Sequence, residues 1–283
     1  MNFFQWKNKV DDSENTSITN PTLKWVYAYA SEIGTSHISS NIAKQDFCKV
    51  EEYVINGVAH ISSAVADGAG SAKYSDASSK YICKLFTRKA KQWLRDNNIT
   101  ELTRDTVSSW FTLFQKVIVR AVNFYHLEST REFATTLLFA ILSDKGNIFI
   151  QIGDGVIAKG NSSDISCIFL PQNGEYLNTT YFATDKDISD RFMFEYNANN
   201  IERLILHTDG IELISFDFAN RKPHLKFFNP IFDQLEKNEK FGLDIETSEF
   251  ISGFLSCERV NQKTDDDKTL VIISQVKEVL GKV

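Results

Sequence analysis

One dipeptide does most to limit what this chain can fold into. Asn56-Gly57 separates two β-rich runs, residues 48–55 and 58–66. Asn-Gly between such runs is the strongest short-range hairpin signal, because both residues accept the positive φ that a tight two-residue turn requires. The turn also sets the register: Ile55 opposes Val58 and, counting outward, Asp46 opposes Asp67. Cβ atoms so paired lie about 5 Å apart on one face of the sheet. Like charges in that position are unfavourable unless a cation or a proton offsets them. The plainer reading, a turn at Asp67-Gly68 and a solvated strand end at Asp46, stays open at this point.

Strand-like text recurs at residues 23–30, 133–142, 147–152, 203–208 and 269–274. A helix is predicted over 76–96, where Ala77, Tyr81, Leu85, Phe86, Ala90, Trp93 and Leu94 repeat at helical spacing. A second is predicted over 105–127, with Val107, Trp110, Phe111, Phe114, Val117, Ile118, Ala121 and Tyr125 as its stripe and Thr103 and Asp105 as caps. Residues 160–200 read as loops and short strands. Residues 224–260 read as mostly helical, with Phe250, Ile251, Phe254 and Leu255 on one face. Residues 1–20 are polar and read as a flexible N-terminal arm; no repeat or linker divides the remainder, so 21–283 is expected to be a single domain. Hairpins interrupted by a central helix pair predict an α+β fold of antiparallel sheets layered under helices.

The composition excludes several classes. Lys and Arg number 31 against 37 Asp and Glu, and the net charge of −6 argues against a nucleic-acid partner. No apolar run approaches the roughly 18 residues of a membrane span, and the N-terminus lacks a basic segment followed by an apolar one, so the expected location is the cytoplasm, away from membranes. Cys48, Cys83, Cys167 and Cys257 are scattered without a C-x-x-C pair, which removes zinc and a disulfide framework. Gly153-x-Gly155 follows a strand but lacks the third glycine of a dinucleotide loop.

Acidic residues gather at strand ends. Asp209 follows an apolar strand and precedes Gly210, and Asp267 directly precedes another strand. Each alone is an ordinary turn. Together with Asp46 and Asp67 they suit a hard divalent cation, Mg²⁺ or Mn²⁺, which takes carboxylate and water oxygens. The ordered series Gln45-Asp46, Val65-Ala66-Asp67-Gly68-Ala69-Gly70, Thr135-Thr136, Ile152-Gly153-Asp154-Gly155, Leu206-His207-Thr208-Asp209-Gly210 and Asp266-Asp267-Lys268-Thr269 resembles the motifs of the metal-dependent type 2C protein phosphatases, in a divergent bacterial-type branch.

That resemblance implies a four-layer αββα sandwich of two antiparallel sheets flanked by helix pairs. It implies a phosphoserine/phosphothreonine hydrolase in which water bridging two cations attacks phosphorus. The roles it implies fall on Asp67 as the bridging carboxylate, the Gly68 carbonyl as a backbone ligand, Asp209 and Asp267 as the other carboxylates, Asp46 as a supporting aspartate, and Asp154 at a weaker third cation. Phosphorylated proteins are the implied substrates and a Ser/Thr kinase the implied counterpart. Departures stand beside these matches. Gln45 replaces a frequent Glu, Asn41 a frequent phosphate-gripping Arg, and Ala69 a His that protonates the leaving group. His37 is the nearby substitute, His207 reads as a core residue, and a catalytically impaired binding or regulatory module is the alternative to an enzyme.

Overall fold

The protein is described from a computed structural model, which covers residues 25–172, 180–237 and 241–275. The predicted arm, residues 1–20, lies outside them. Two sheets carry the architecture. One has five strands in the spatial order Phe47–Ile55, Val58–Ala66, Leu137–Ser143, Gly146–Ile152, Met193–Asn197, every neighbour antiparallel. The other has six, in the order Gly242–Leu243, Trp25–Glu32, Lys268–Gln275, Arg203–His207, Val156–Gly160, Ile165–Cys167, antiparallel except for the short Gly242–Leu243 edge.

Side-chain alternation explains why these strands are apolar on both faces. Successive Cβ atoms point to opposite sides of a strand. In Leu137–Ser143, Leu138, Ala140 and Leu142 enter the layer between the sheets, where they meet Val271, Ile273, Leu204 and Leu206 of the other sheet. Leu137, Phe139 and Ile141 face the opposite way, onto the helices Ser75–Leu94 and Arg104–Phe124. In Lys268–Gln275 the same parity sends Leu270 and Ile272 toward Phe228, Phe232, Ile251 and Leu255 of the helices Leu225–Leu235 and Ile245–Leu255. Three apolar layers therefore separate four layers of structure, the αββα sandwich implied by the motifs. A Phe86–Phe111–Phe139 cluster, with ring centroids 4.8 and 5.6 Å apart, anchors the first helix pair to its sheet.

The hairpin register is as the Asn-Gly turn dictates, with Ile55 opposite Val58 and Phe47 opposite Ala66. Both turn residues have positive φ. Thr103 caps the second long helix by accepting from the Thr106 N–H.

Two local readings are corrected, and two short elements are added. The strand expected from residue 133 begins at Leu137, because Thr130–Phe133 forms a 3₁₀ turn and the residues after it are taken up by the loop at Asp67. Phe250 is half-exposed rather than on the buried face; the i, i+4 stripe of that helix is Thr247, Ile251 and Leu255. The six-residue helix Thr35–Ser40 carried too short a pattern to be predicted, and the strand Val156–Gly160 follows directly on the Gly153-Asp154-Gly155 turn and was not separated from it.

Candidate metal centre

The acidic positions lie just beyond strand ends at one edge of the sandwich. Asp67 follows Ala66, and its backbone is clamped by two threonines. Its N–H donates to Thr136 Oγ1 at 2.9 Å, while its carbonyl accepts from the Thr136 N–H at 2.8 Å and from Thr135 Oγ1 at 2.9 Å. Gly68 continues the pairing as a bridge to Thr135. A Cβ there would lie 2.7 Å from that of Ser75 and 2.9 Å from the Gln45 carbonyl, so this path is open only to glycine. Asp154 sits between the strands ending at Ile152 and beginning at Val156, with Thr180 Oγ1 donating to its Oδ2. Asp209 opens a 3₁₀ turn after the strand Arg203–His207, and Gly210 lies directly against the Asp267 carbonyl.

Asp67, Asp154 and Asp209 bring one carboxylate oxygen each within 4.8 Å of the others. None of the three has an ion-pair partner among the described residues. The electrostatic consequence is large. Asp67 is raised well above the usual carboxylate range, first by burial and then by Asp46, Asp209, Asp266 and Asp154. Asp209 is pushed up to about 7 by burial, Asp154 and Asp266. Asp154 is raised chiefly by burial, with the Thr180 hydrogen bond opposing. Glu212, one helical turn past Asp209, is also pushed up to about 7 by burial, Asp209 and Asp154. A group of carboxylates that resists ionisation for want of positive charge is what a hard divalent cation relieves.

Asp46 stands beside this group. Burial pushes it up to about 7, against donation to its Oδ2 by Thr269 Oγ1 at 2.7 Å and Thr208 Oγ1 at 2.8 Å. Its Oδ1 is buried without a hydrogen-bond partner, as is Oε1 of the adjacent Gln45, whose Nε2 donates to the Ala72 carbonyl. Asn41 closes the helix Thr35–Ser40 in the left-handed region and is exposed.

Asp267 does not join the three converging carboxylates. Its Oδ1 accepts from the Gly34 N–H at 2.7 Å and meets His37 Nδ1 at 2.9 Å; its Oδ2 accepts from the N–H groups of Gln45 at 2.6 Å and Asp46 at 3.3 Å. The preceding residue, Asp266, is the one that acts on Asp67 and Asp209 together. Three successive aspartates, 265–267, made that choice illegible, because neighbours at a strand entry point in different directions. Glu212 and Thr180 had no motif signal at all. His207 is a fully buried core residue, as read from its strand, with Nδ1 on the Thr208 carbonyl and Nε2 on Ser215 Oγ; burial lowers it to about 4. The four cysteines are free.

Fold and site together define a class: a layered α+β protein whose strand ends gather carboxylates, unpaired with cations among the described residues, into a group that could hold a metal ion. The pattern of the family described as Protein phosphatase 2C matches residues 33–255. Serine/threonine-protein phosphatase 3 of Escherichia coli (strain K12) is 31% identical over 251 residues, which cover 88% of this chain and 98% of that protein. The chain belongs to the protein phosphatase 2C family and is a metal-dependent protein phosphatase. Among solved structures, a bacterial serine phosphatase superposes with a TM-score of 0.56 at 14% identity, covering 89% of this chain and 99% of that one. Serine/threonine phosphatase Stp1 from Staphylococcus aureus gives 0.54 at 13%, covering 94% and 100%. The catalytic domain of PstP, solved with two manganese ions, gives 0.53 at 14%, covering 90% and 100%. These structures share the fold. Among the described residues no helix is long and apolar enough to cross a membrane.

Proposed function

We propose that the chain hydrolyses phosphoserine and phosphothreonine monoesters in proteins, using two Mg²⁺ or Mn²⁺ ions held at Asp67, Asp154 and Asp209 with the Gly68 carbonyl beside them. The convergence of those three half-buried carboxylates, with no cationic side chain paired to them among the described residues, carries the reading. Asp154 thus joins the main group rather than a separate third cation, and a Ser/Thr kinase that supplies the phosphoprotein and a cytoplasmic location belong to the same proposal.

Divalent cations bound there would acidify a coordinated water and offset the negative charge of the phosphoryl group. The remaining work falls to the chain itself. Thr135 and Thr136 hold the Asp67 backbone from two sides, so its carboxylate stays at the end of its strand. Thr208 and Thr269 occupy Asp46 Oδ2 and leave Oδ1 free to accept a proton from water. Gln45 adds a second open acceptor, Oε1, without adding charge. Thr180 fixes the orientation of Asp154.

The test is turnover of an aryl phosphate and of a phosphothreonine peptide with Mn²⁺, in the wild type and in Asp67→Asn. We expect hydrolysis of both substrates by the wild type and its loss in the variant. Equal rates in the two proteins would overturn the reading. Mn²⁺ binding by the wild type without turnover on any phosphopeptide would establish the impaired-module alternative instead.

A further inference from the structure

The sequence pattern makes Asp267 a metal ligand, yet its carboxylate is engaged on every side by the protein. Three backbone N–H groups, of Gly34, Gln45 and Asp46, and the His37 ring converge on it. Asp267 is 2% and His37 8% exposed. These donors come from the two ends of the connection between the strands Trp25–Glu32 and Phe47–Ile55, so one side chain at the start of a third strand ties both ends together. Packing leaves no slack around the knot: a Cβ at Gly34 would collide with the Asp265 carbonyl and the Asp266 backbone. His37 also lies close enough to Asp266 to act on its charge.

We propose that Asp267 and His37 are a positioning pair for the phosphatase reaction. Asp267 seats the Gln45–Asp46 backbone, so that the open acceptors Asp46 Oδ1 and Gln45 Oε1 face the cation site. His37 acts by donating Nδ1–H to Asp267, which holds the carboxylate in the orientation that reaches both backbone N–H groups. The pair touches neither substrate nor cation. This rests on the reading of Asp67, Asp154 and Asp209 as the metal centre. It assigns His37 a role through Asp267 rather than as a proton donor to the leaving group.

The test exploits the geometry of amide mimics: the Asn side-chain N–H stands where His Nδ1 does, and the Gln N–H where Nε2 does. His37→Asn, His37→Gln, His37→Ala and Asp267→Asn are compared for kcat and KM on an aryl phosphate, for Mn²⁺ binding by calorimetry, and for thermal melting. Removing a supporting hydrogen bond of this kind costs about 10- to 100-fold in metal affinity or activity. We expect a kcat loss of that order in His37→Gln and His37→Ala, with KM little changed, and recovery of most of it in His37→Asn. Asp267→Asn is expected to keep the Mn²⁺ stoichiometry that Asp209→Asn loses. Loss of that stoichiometry in Asp267→Asn would make Asp267 a ligand and overturn the proposal; so would rescue by Gln instead of Asn, or full activity in His37→Ala. If Asp267→Asn does not fold, the Asn-versus-Gln comparison at His37 decides alone. Failure of the wild type to bind Mn²⁺ would sink the parent reading, which the His37 melting comparison does not depend on.

Discussion

The middle of the sandwich and its acidic edge are built from the same strands and carry opposite energetic signs. In the middle, strand alternation gives every side chain of Leu137–Ser143 an apolar layer to enter, and burial of those side chains stabilises the fold. At the edge, the next residues along the strands bury carboxylates beside one another, and burial raises their proton affinity instead. The contrast teaches that the site is a local debt carried by the core: the edge can hold unfavourable charge only because the layers behind it are rigid and close-packed.

Four perturbations would break or sharpen that contrast. The largest effect is expected in the middle. Phe139→Ala, which empties a fully buried ring position between helix and sheet, should destabilise the protein by about 3–5 kcal/mol in urea unfolding. A cost below about 1 kcal/mol would show that the helix layer does not depend on this contact. Asp209→Asn comes next and should separate function from stability. It is expected to lose about 100-fold or more in kcat/KM, roughly 3 kcal/mol of barrier. In EDTA near pH 8 the same variant should melt above the wild type, since one of the crowded carboxylates is gone. A lower melting temperature would contradict the account of the edge as a destabilising region.

The third perturbation is pH. Asp46 and Asp209 are pushed up to about 7 in the folded protein, above the unfolded carboxylate range. Between the two values the folded state binds more protons than the unfolded one, so their contribution to stability is present at low pH and is lost as pH rises through about 7. In EDTA the melting temperature should therefore fall between pH 5.5 and pH 8, and Mn²⁺ should restore most of the loss at the higher pH. A metal-free melting temperature that rises over that interval would reverse the sign. The smallest effect is expected at Thr269→Val, which removes one donor from Asp46 Oδ2 at a cost of about 1 kcal/mol in stability. Its kcat should fall severalfold while the overall fold, followed by circular dichroism, stays unchanged.

Much of the molecule was legible before any coordinates. The Asn56-Gly57 turn specified a register that the structure reproduces pair by pair, because a two-residue turn leaves no freedom for slippage. The long helices were visible because their apolar faces repeat over some five turns each. Thr35–Ser40 was not, since six residues cannot display a period. At the site, the sequence pointed to a cation through Asp46, Asp67, Asp209 and Asp267, with Asp154 only at a weaker third position, whereas the fold brings Asp67, Asp154 and Asp209 together. The run of aspartates at 265–267 resisted reading for a different reason. Which of three adjacent carboxylates turns toward the cluster depends on the direction of the chain as it enters a strand, and on the donors waiting on the other side.

The sequence by itself determined the hairpin register, the helix pair, the layered class and the family, all of which rest on local turn chemistry, periodicity or motif order. Only the tertiary structure decided the division among the acids. Asp67, Asp154 and Asp209 come from separate strand ends and meet without an ion-pair partner among the described residues. Asp267 meets three backbone N–H groups and a histidine, supplied by residues more than 220 positions away. The chemistry of a carboxylate is set by what surrounds it in space, and that is fixed by packing between elements distant in the chain.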